Sequence, residues 1–136
     1  MRFIVNTSVM ISALIKKKSI SFRAPTETKH ELYIPEYSIE ELIRHIKKIE
    51  ERSELTSEEI LARIILIINK IIIVSKDKVI LHMHEAYKII GHRDTKDAPF
   101  VATLLAIGGD GIVSYDNDFE EITKYGYVWL KPNNLL

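Results

Sequence analysis

The feature that most restricts this chain is a set of short apolar runs separated by longer stretches of helical periodicity. Arg2–Val5, Glu31–Ile34, Ile71–Val74, Gly111–Ser114 and Tyr127–Leu130 are rich in β-branched and aromatic residues, the types that suit a pleated, half-buried surface. Between them, apolar side chains recur three and four residues apart. Met10, Ile11, Leu14 and Ile15 form one such set, Ile39, Leu42, Ile43, Ile46 and Ile49 another, and Val79, Ile80, Met83, Ala86, Tyr87 and Ile90 a third. That spacing marks one face of a helix. Strands alternating with helices predict a parallel sheet between helical layers, joined by right-handed crossovers. Ile71–Val74 is apolar throughout and predicts a strand covered on both faces. The expected fold is α/β: a three-layer α/β/α sandwich around a central parallel sheet of about five strands, in one domain over residues 1–136.

Local signals place the element ends. Asn6, Thr7 and Ser8 are helix-capping types ahead of Met10, and Thr56 with Glu59 makes a capping box for a helix through Asn69. The polar stretch through Pro25, Thr26 and Thr28 reads as a connection between the first helix and the second strand. Gly91 stands where a left-handed helix cap is usual. A further helix starts near Asp97 and Pro99 and runs to Gly108-Gly109, and Asp118 to Lys124 is a short one. The predicted order is βαβααβααβαβ.

Nineteen basic and nineteen acidic side chains cancel, so a polyanion would have to be held locally rather than by a general field. The absence of cysteine excludes disulfides, thiolate zinc sites and a cysteine nucleophile. The apolar N-terminus is broken by Asn6, Thr7 and Ser8, and no run reaches membrane-spanning length. The expectation is a cytoplasmic protein with no membrane contact.

In open parallel sheets ligands bind beyond the carboxyl ends of the strands. Asn6 follows the first strand and Asp116 lies two residues past the fourth. Asp97 opens the helix before strand four, and Glu41 lies in the first turns of the helix after strand two. Carboxylates gathered in one crevice repel unless a cation neutralises them, and oxygen-only ligation favours Mg²⁺ or Mn²⁺. Such an ion can generate hydroxide from water and stabilise charge on a scissile phosphate. Taken singly, each residue also has a plain structural reading: Asp97 as a helix start, Asp116 and Asp118 as turn residues, Asn6 as a cap. His82 and His84, two apart on a helix, do not share a face and read as surface or boundary residues.

The segments FIVNTSVMISAL, YIPEYSIEELIRHI, RDTKDAPFVATLLAIGGDGIVSYDNDF and YGYVWLKP resemble, in order and over nearly the whole chain, the PIN domain. The stretch from Asp94-x-x-Asp97-Ala98-Pro99-Phe100 through Ser114-x-Asp116-x-Asp118-Phe119 is similar to the third and fourth acidic motifs of archaeal and bacterial PIN proteins. The resemblance puts the second acid on Glu41; helical periodicity alone does not select it over Glu40. It puts the third on Asp97, with Asp94 as accessory, and the fourth on Asp116, assisted by Asp118. It implies a ribonuclease using Mg²⁺ or Mn²⁺, acting on single-stranded or structured RNA, in many relatives as the toxin of a toxin–antitoxin pair. Catalytic roles are thereby implied for Glu41, Asp97 and Asp116, and metal contacts for Asn6, Glu41, Asp94, Asp97, Asp116 and Asp118. Ser8, Ser114, Arg44 and Arg93 are the candidate substrate contacts.

One motif departs from the family. Where PIN domains carry Asp-Thr-Asn or Asp-Ser-Ser, this chain has Asn6-Thr7-Ser8, which offers a carbonyl oxygen but no charge. A weak or silent PIN domain that binds RNA or a protein partner is therefore the alternative expectation. Lys131-Pro132 after strand five resembles receiver domains, but the phospho-accepting position after strand three holds Ser75. The surplus apolar helix faces through Leu61, Ile64, Ile65 and Ile68 and through Ile89-Ile90, expected to be mostly core, would also serve a homodimer, and an antitoxin protein is the other expected partner.

Overall fold

In a computed structural model, which describes residues 1–136, the five apolar runs form one parallel sheet. The strands are β1 (Arg2–Val5), β2 (Glu31–Pro35), β3 (Ile72–Val74), β4 (Gly111–Val113) and β5 (Val128–Leu130). Their order is β3-β2-β1-β4-β5, with Ile4 opposite Tyr33 on one side and Ile112 on the other. Helices α1 (Thr7–Ala13), α2 (Ile20–Glu27), α3 (Glu36–Arg52), α4 (Ser57–Lys70), α5 (Lys76–Ile80), α6 (Met83–Ile90) and α7 (Ala98–Ile107) connect them. Short 3₁₀ segments at Thr95–Asp97, Asn117–Tyr125 and Pro132–Leu135 complete the chain.

Strand alternation divides the core into two layers. Phe3, Val5, Leu32, Ile34 and Val113 face α1 to α4, while Ile4, Tyr33, Val74 and Ile112 face α5 to α7. This is the expected α/β/α arrangement. The chain leaves β1 for β2 and β3 on one side, and β4 and β5 lie on the other, so the order reverses between β1 and β4. A crevice opens at the carboxyl ends of strands where the order reverses in this way. It lies beside Asn6 and Asp116.

Four local expectations are corrected. The Pro25 to Thr28 stretch is no loop: α2 runs through Pro25, which is buried with Ser21 and Ala24. The helix packs on α1, α4 and the C-terminal turn, and tertiary burial outweighs the hydrogen bond that proline removes. The helix expected from Ser75 to Ile90 breaks at Leu81-His82, so that Val79 of α5 and Ala86, Ile89 and Ile90 of α6 can both pack against α7. Ile80 and Tyr87, expected inward, are exposed. Gly91 is right-handed at φ −60°, unlike Gly108, which ends α7 at φ 62°; a Cβ at Gly91 would lie 2.7 Å from the Tyr87 carbonyl oxygen.

The fourth correction concerns apolar surface. β3 is an edge strand, and both Ile72 and Ile73 are substantially exposed. Ile43 of α3 and Leu61, Ile65, Leu66 and Ile68 of α4 are exposed as well, while Ile60 and Ile67 hold α4 to the core. The face expected to be mostly core is mostly open. Ile89 and Ile90 are core.

Candidate metal centre

The capping preferences that start α1 also build one wall of the crevice. Asn6 is the N-cap, its Oδ1 accepting from the Ser8 amide at 3.0 Å and from the Ser8 hydroxyl at 2.6 Å. Its own amide donates to the Val113 carbonyl at 2.9 Å, which fixes it beside the end of β4. Ser8 is therefore tied to the cap.

Ser114, expected to touch substrate, is fully buried. Its hydroxyl accepts from the Asp116 amide at 3.0 Å and its carbonyl from Trp129 Nε1 at 3.1 Å. Ser114 holds the loop that presents Asp116, and burial removes it from substrate. Asp116 in turn accepts from the Asp118 amide at 2.9 Å, capping the 3₁₀ segment that follows.

Asp97 closes the 3₁₀ turn that leads into α7 and is buried at 6% exposure. One oxygen each from Asp97, Asp116 and Asp118 can be chosen so that all three lie within 4.8 Å of one another. Asp97 Oδ2 is buried and has no hydrogen-bond partner. A buried, partnerless carboxylate oxygen costs free energy unless something else compensates it. Burial, and then the negative charges of Asp116, Asp94 and Asp118, push the Asp97 carboxyl up to about 7.

This donor set fits a hard divalent cation. Three carboxylates from two separated segments offer only oxygen, and one oxygen of the buried Asp97 has no hydrogen-bond partner. Cations of the Mg²⁺ type bind through few carboxylates and keep several waters. Asp94 sits outside the trio, capping the 3₁₀ turn through the Lys96 amide at 2.9 Å.

Glu41 reaches the crevice through a relay rather than as a member of the trio. Thr7 Oγ1 lies 2.8 Å from Glu41 Oε1 and 3.0 Å from Ser38 Oγ. A hydroxyl has one proton to give, and the carboxylate is the stronger acceptor, so Thr7 donates to Glu41 and accepts from Ser38. Glu40 instead pairs with Lys76 on α5.

The two arginines occupy flanks. The Arg44 guanidinium lies 5.8 Å from the Tyr37 ring centroid, on the Glu41 side. Arg93 donates to Glu121 at 2.8 Å. Glu121 is buried, and hydrogen bonds from Lys124 and Arg93 hold its carboxyl below the usual range. Sequence reading singled out neither Glu121 nor Tyr37, because an acid or aromatic on a helical segment is ordinarily solvated or core. Only the fold shows their neighbours.

The family model described as PIN domain matches residues 4–124. This chain belongs to the PIN domain family. The match spans the segments that carry Asn6, Glu41, Asp97, Asp116 and Asp118. One chain of the crystal structure of VapBC2 from Rickettsia felis, bound to a DNA fragment from their promoter, superposes with a TM-score of 0.67 at 13% identity. The superposition covers 96% of this PIN domain and 98% of that chain, a likeness of fold. No curated protein sequence matches the chain significantly. PIN domains of the VapC type are generally nucleases, and PIN domains generally use divalent metals.

Proposed function

We propose that this PIN domain is a metal-dependent endoribonuclease in which Asp97, Asp116 and Asp118 hold Mg²⁺ or Mn²⁺. The observation that carries the reading is the gathering of the Asp97, Asp116 and Asp118 carboxylates within 4.8 Å of one another, with Asp97 buried and one of its oxygens without a hydrogen-bond partner. When bound, such a cation supplies Lewis acidity toward a scissile phosphate and a water of lowered pKa. The chain's own part is to hold the acids in place. Ser114 fixes the Asp116 loop, the α7 start buries Asp97, and Thr7 holds Glu41 beside Asn6. Glu41 is the candidate for orienting the attacking water, and Asp94 adds negative charge beside Asp97. Arg44 and Arg93 flank the crevice as candidate phosphate contacts.

One observation favours the quieter alternative. Asn6 brings no charge, and its oxygen is already taken up by Ser8, which weakens the hold on a divalent ion. A metal-dependent RNA cleavage assay on the wild type, Asn6→Asp and Asp97→Asn separates the two. The nuclease reading expects cleavage by the wild type, faster cleavage by Asn6→Asp, and a loss of at least about 100-fold in Asp97→Asn. Activity confined to Asn6→Asp marks a silent domain. RNA binding without cleavage in every variant sinks the enzyme reading.

The toxin role and a protein partner belong to the same proposal. Met10 and Leu14 of α1, Ile39, Leu42 and Ile46 of α3 and Ile64 and Ile67 of α4 line a groove of 260 Å³ with no polar residue in its walls. Such a groove suits an apolar helix from an antitoxin-like protein, while the outer face of α4 suits a second copy of this chain. No helix is long and apolar enough to cross a membrane. Proteins of toxin–antitoxin pairs are typically cytoplasmic, and the reading places this chain there.

A further inference from the structure

A second cavity of 220 Å³ opens where the N-terminus of α3 meets α5, α6 and the start of α7. Its walls include Pro35, Tyr37, Met83 and Pro99, with Glu36 and Lys76 as the polar groups. Two of these residues belong to the segments that carry the acidic site. Pro99 is two residues past Asp97, and Tyr37 lies one helical turn before Glu41, in whose field its hydroxyl sits.

The walls have the chemistry that accepts a nucleobase. A phenol ring, two prolines and a thioether give flat and adaptable apolar contact, and unpaired RNA bases are recognised by stacking on aromatic side chains with hydrogen bonds to their edges. The ring is held rigid. Phe100 meets it edge-on with centroids 6.3 Å apart, and the Arg44 guanidinium lies 5.8 Å from its centroid. Glu36 accepts from the Lys76 amide at 3.0 Å, and the Lys76 ammonium pairs with Glu40. A donor and an acceptor thus stand at the cavity with fixed positions. The exposed aromatic next to Asp116, Tyr115, is tied through its hydroxyl to Ser21 at 2.5 Å and lines no such cavity.

We infer that this cavity binds one base of a single-stranded RNA next to the scissile phosphate, and that Tyr37 sets the sequence preference there. The inference rests on the nuclease reading for its ligand but not for its test. In an Asp97→Asn background, a fluorescein-labelled single-stranded RNA of randomised sequence is titrated without cleavage. Tyr37→Ala should weaken binding roughly 5- to 100-fold, the range for losing one stacked base, whereas Tyr37→Phe stays within about twofold. Met83→Trp fills the cavity from the opposite element and should weaken binding while leaving the Tyr37 ring in place. With Asp97 restored, cleavage of a randomised pool should show one base position whose preference Tyr37→Ala abolishes. A wild type that cleaves nothing refutes the nuclease reading alone, because the titration still decides this one. Unchanged affinity in both Tyr37→Ala and Met83→Trp, with thermal unfolding showing intact folds, overturns it.

Discussion

Asp97 carries opposed demands. The fold buries it against two other acids, an arrangement that destabilises the metal-free protein and readies it for a cation. Its carboxyl titrates near 7 in the folded chain and near 3.8 when unfolded. Below about pH 4 it is protonated in both states and contributes no difference. Between about 4 and 7 the folded state keeps a proton that the unfolded state releases, so stability falls as pH rises, by up to about 4 kcal/mol. In the presence of a chelator, Asp97→Asn should therefore raise the unfolding temperature at pH 8 and change it little at pH 4. An equal effect at both pH values, by scanning calorimetry, would show that burial and neighbouring charge do not act on Asp97 as described. The positions of Asp97, Asp116 and Asn6 were legible in the sequence because helix-start and turn chemistry places Asp97 at the start of α7 and Asn6 and Asp116 just past β1 and β4. The roles of Ser114 and Thr7 were not, because their hydroxyls act on residues distant in sequence or across a loop.

At the scale of elements, β1, β2, β4, β5, α1, α3 and α7 follow from apolar spacing and caps. Two misses, α2 and the α5–α6 break, share one cause: tertiary packing overrode local preference. Nothing local favours a helix through Pro25, and contact with α1, α4 and the C-terminal turn holds α2 in place. The α5–α6 break has no glycine or proline to announce it. α4 shows the converse, since its apolar residues exceed what the sheet can cover. Its two basic residues turn back onto the fold, Arg63 to the carbonyls of Ala13, Lys16 and Lys17, and Lys70 to that of Thr28. The outer face through Leu61, Ile65 and Ile68 is left without basic charge. If it joins two copies, Ile65→Glu should give a monomer at micromolar concentration with monomer stability changed by less than about 0.5 kcal/mol. A wild type that already sediments as a monomer would rule the dimer out.

For the molecule as a whole, acids and bases are equal in number, and three of the acids are gathered at the sheet's carboxyl edge. Strand order makes the crevice there, two separated segments bring Asp97, Asp116 and Asp118 together at it, and the cavity beside Tyr37 is proposed to take a base. The claim on which this account turns is that Asp97, Asp116 and Asp118 hold one divalent cation. Crystals grown with Mn²⁺ and measured at the manganese absorption edge test it directly. An anomalous peak within ligand distance of all three aspartates, lost in Asp97→Asn, is the expected result. A well-ordered crystal with no peak at the trio, or with its only peak elsewhere, would contradict it.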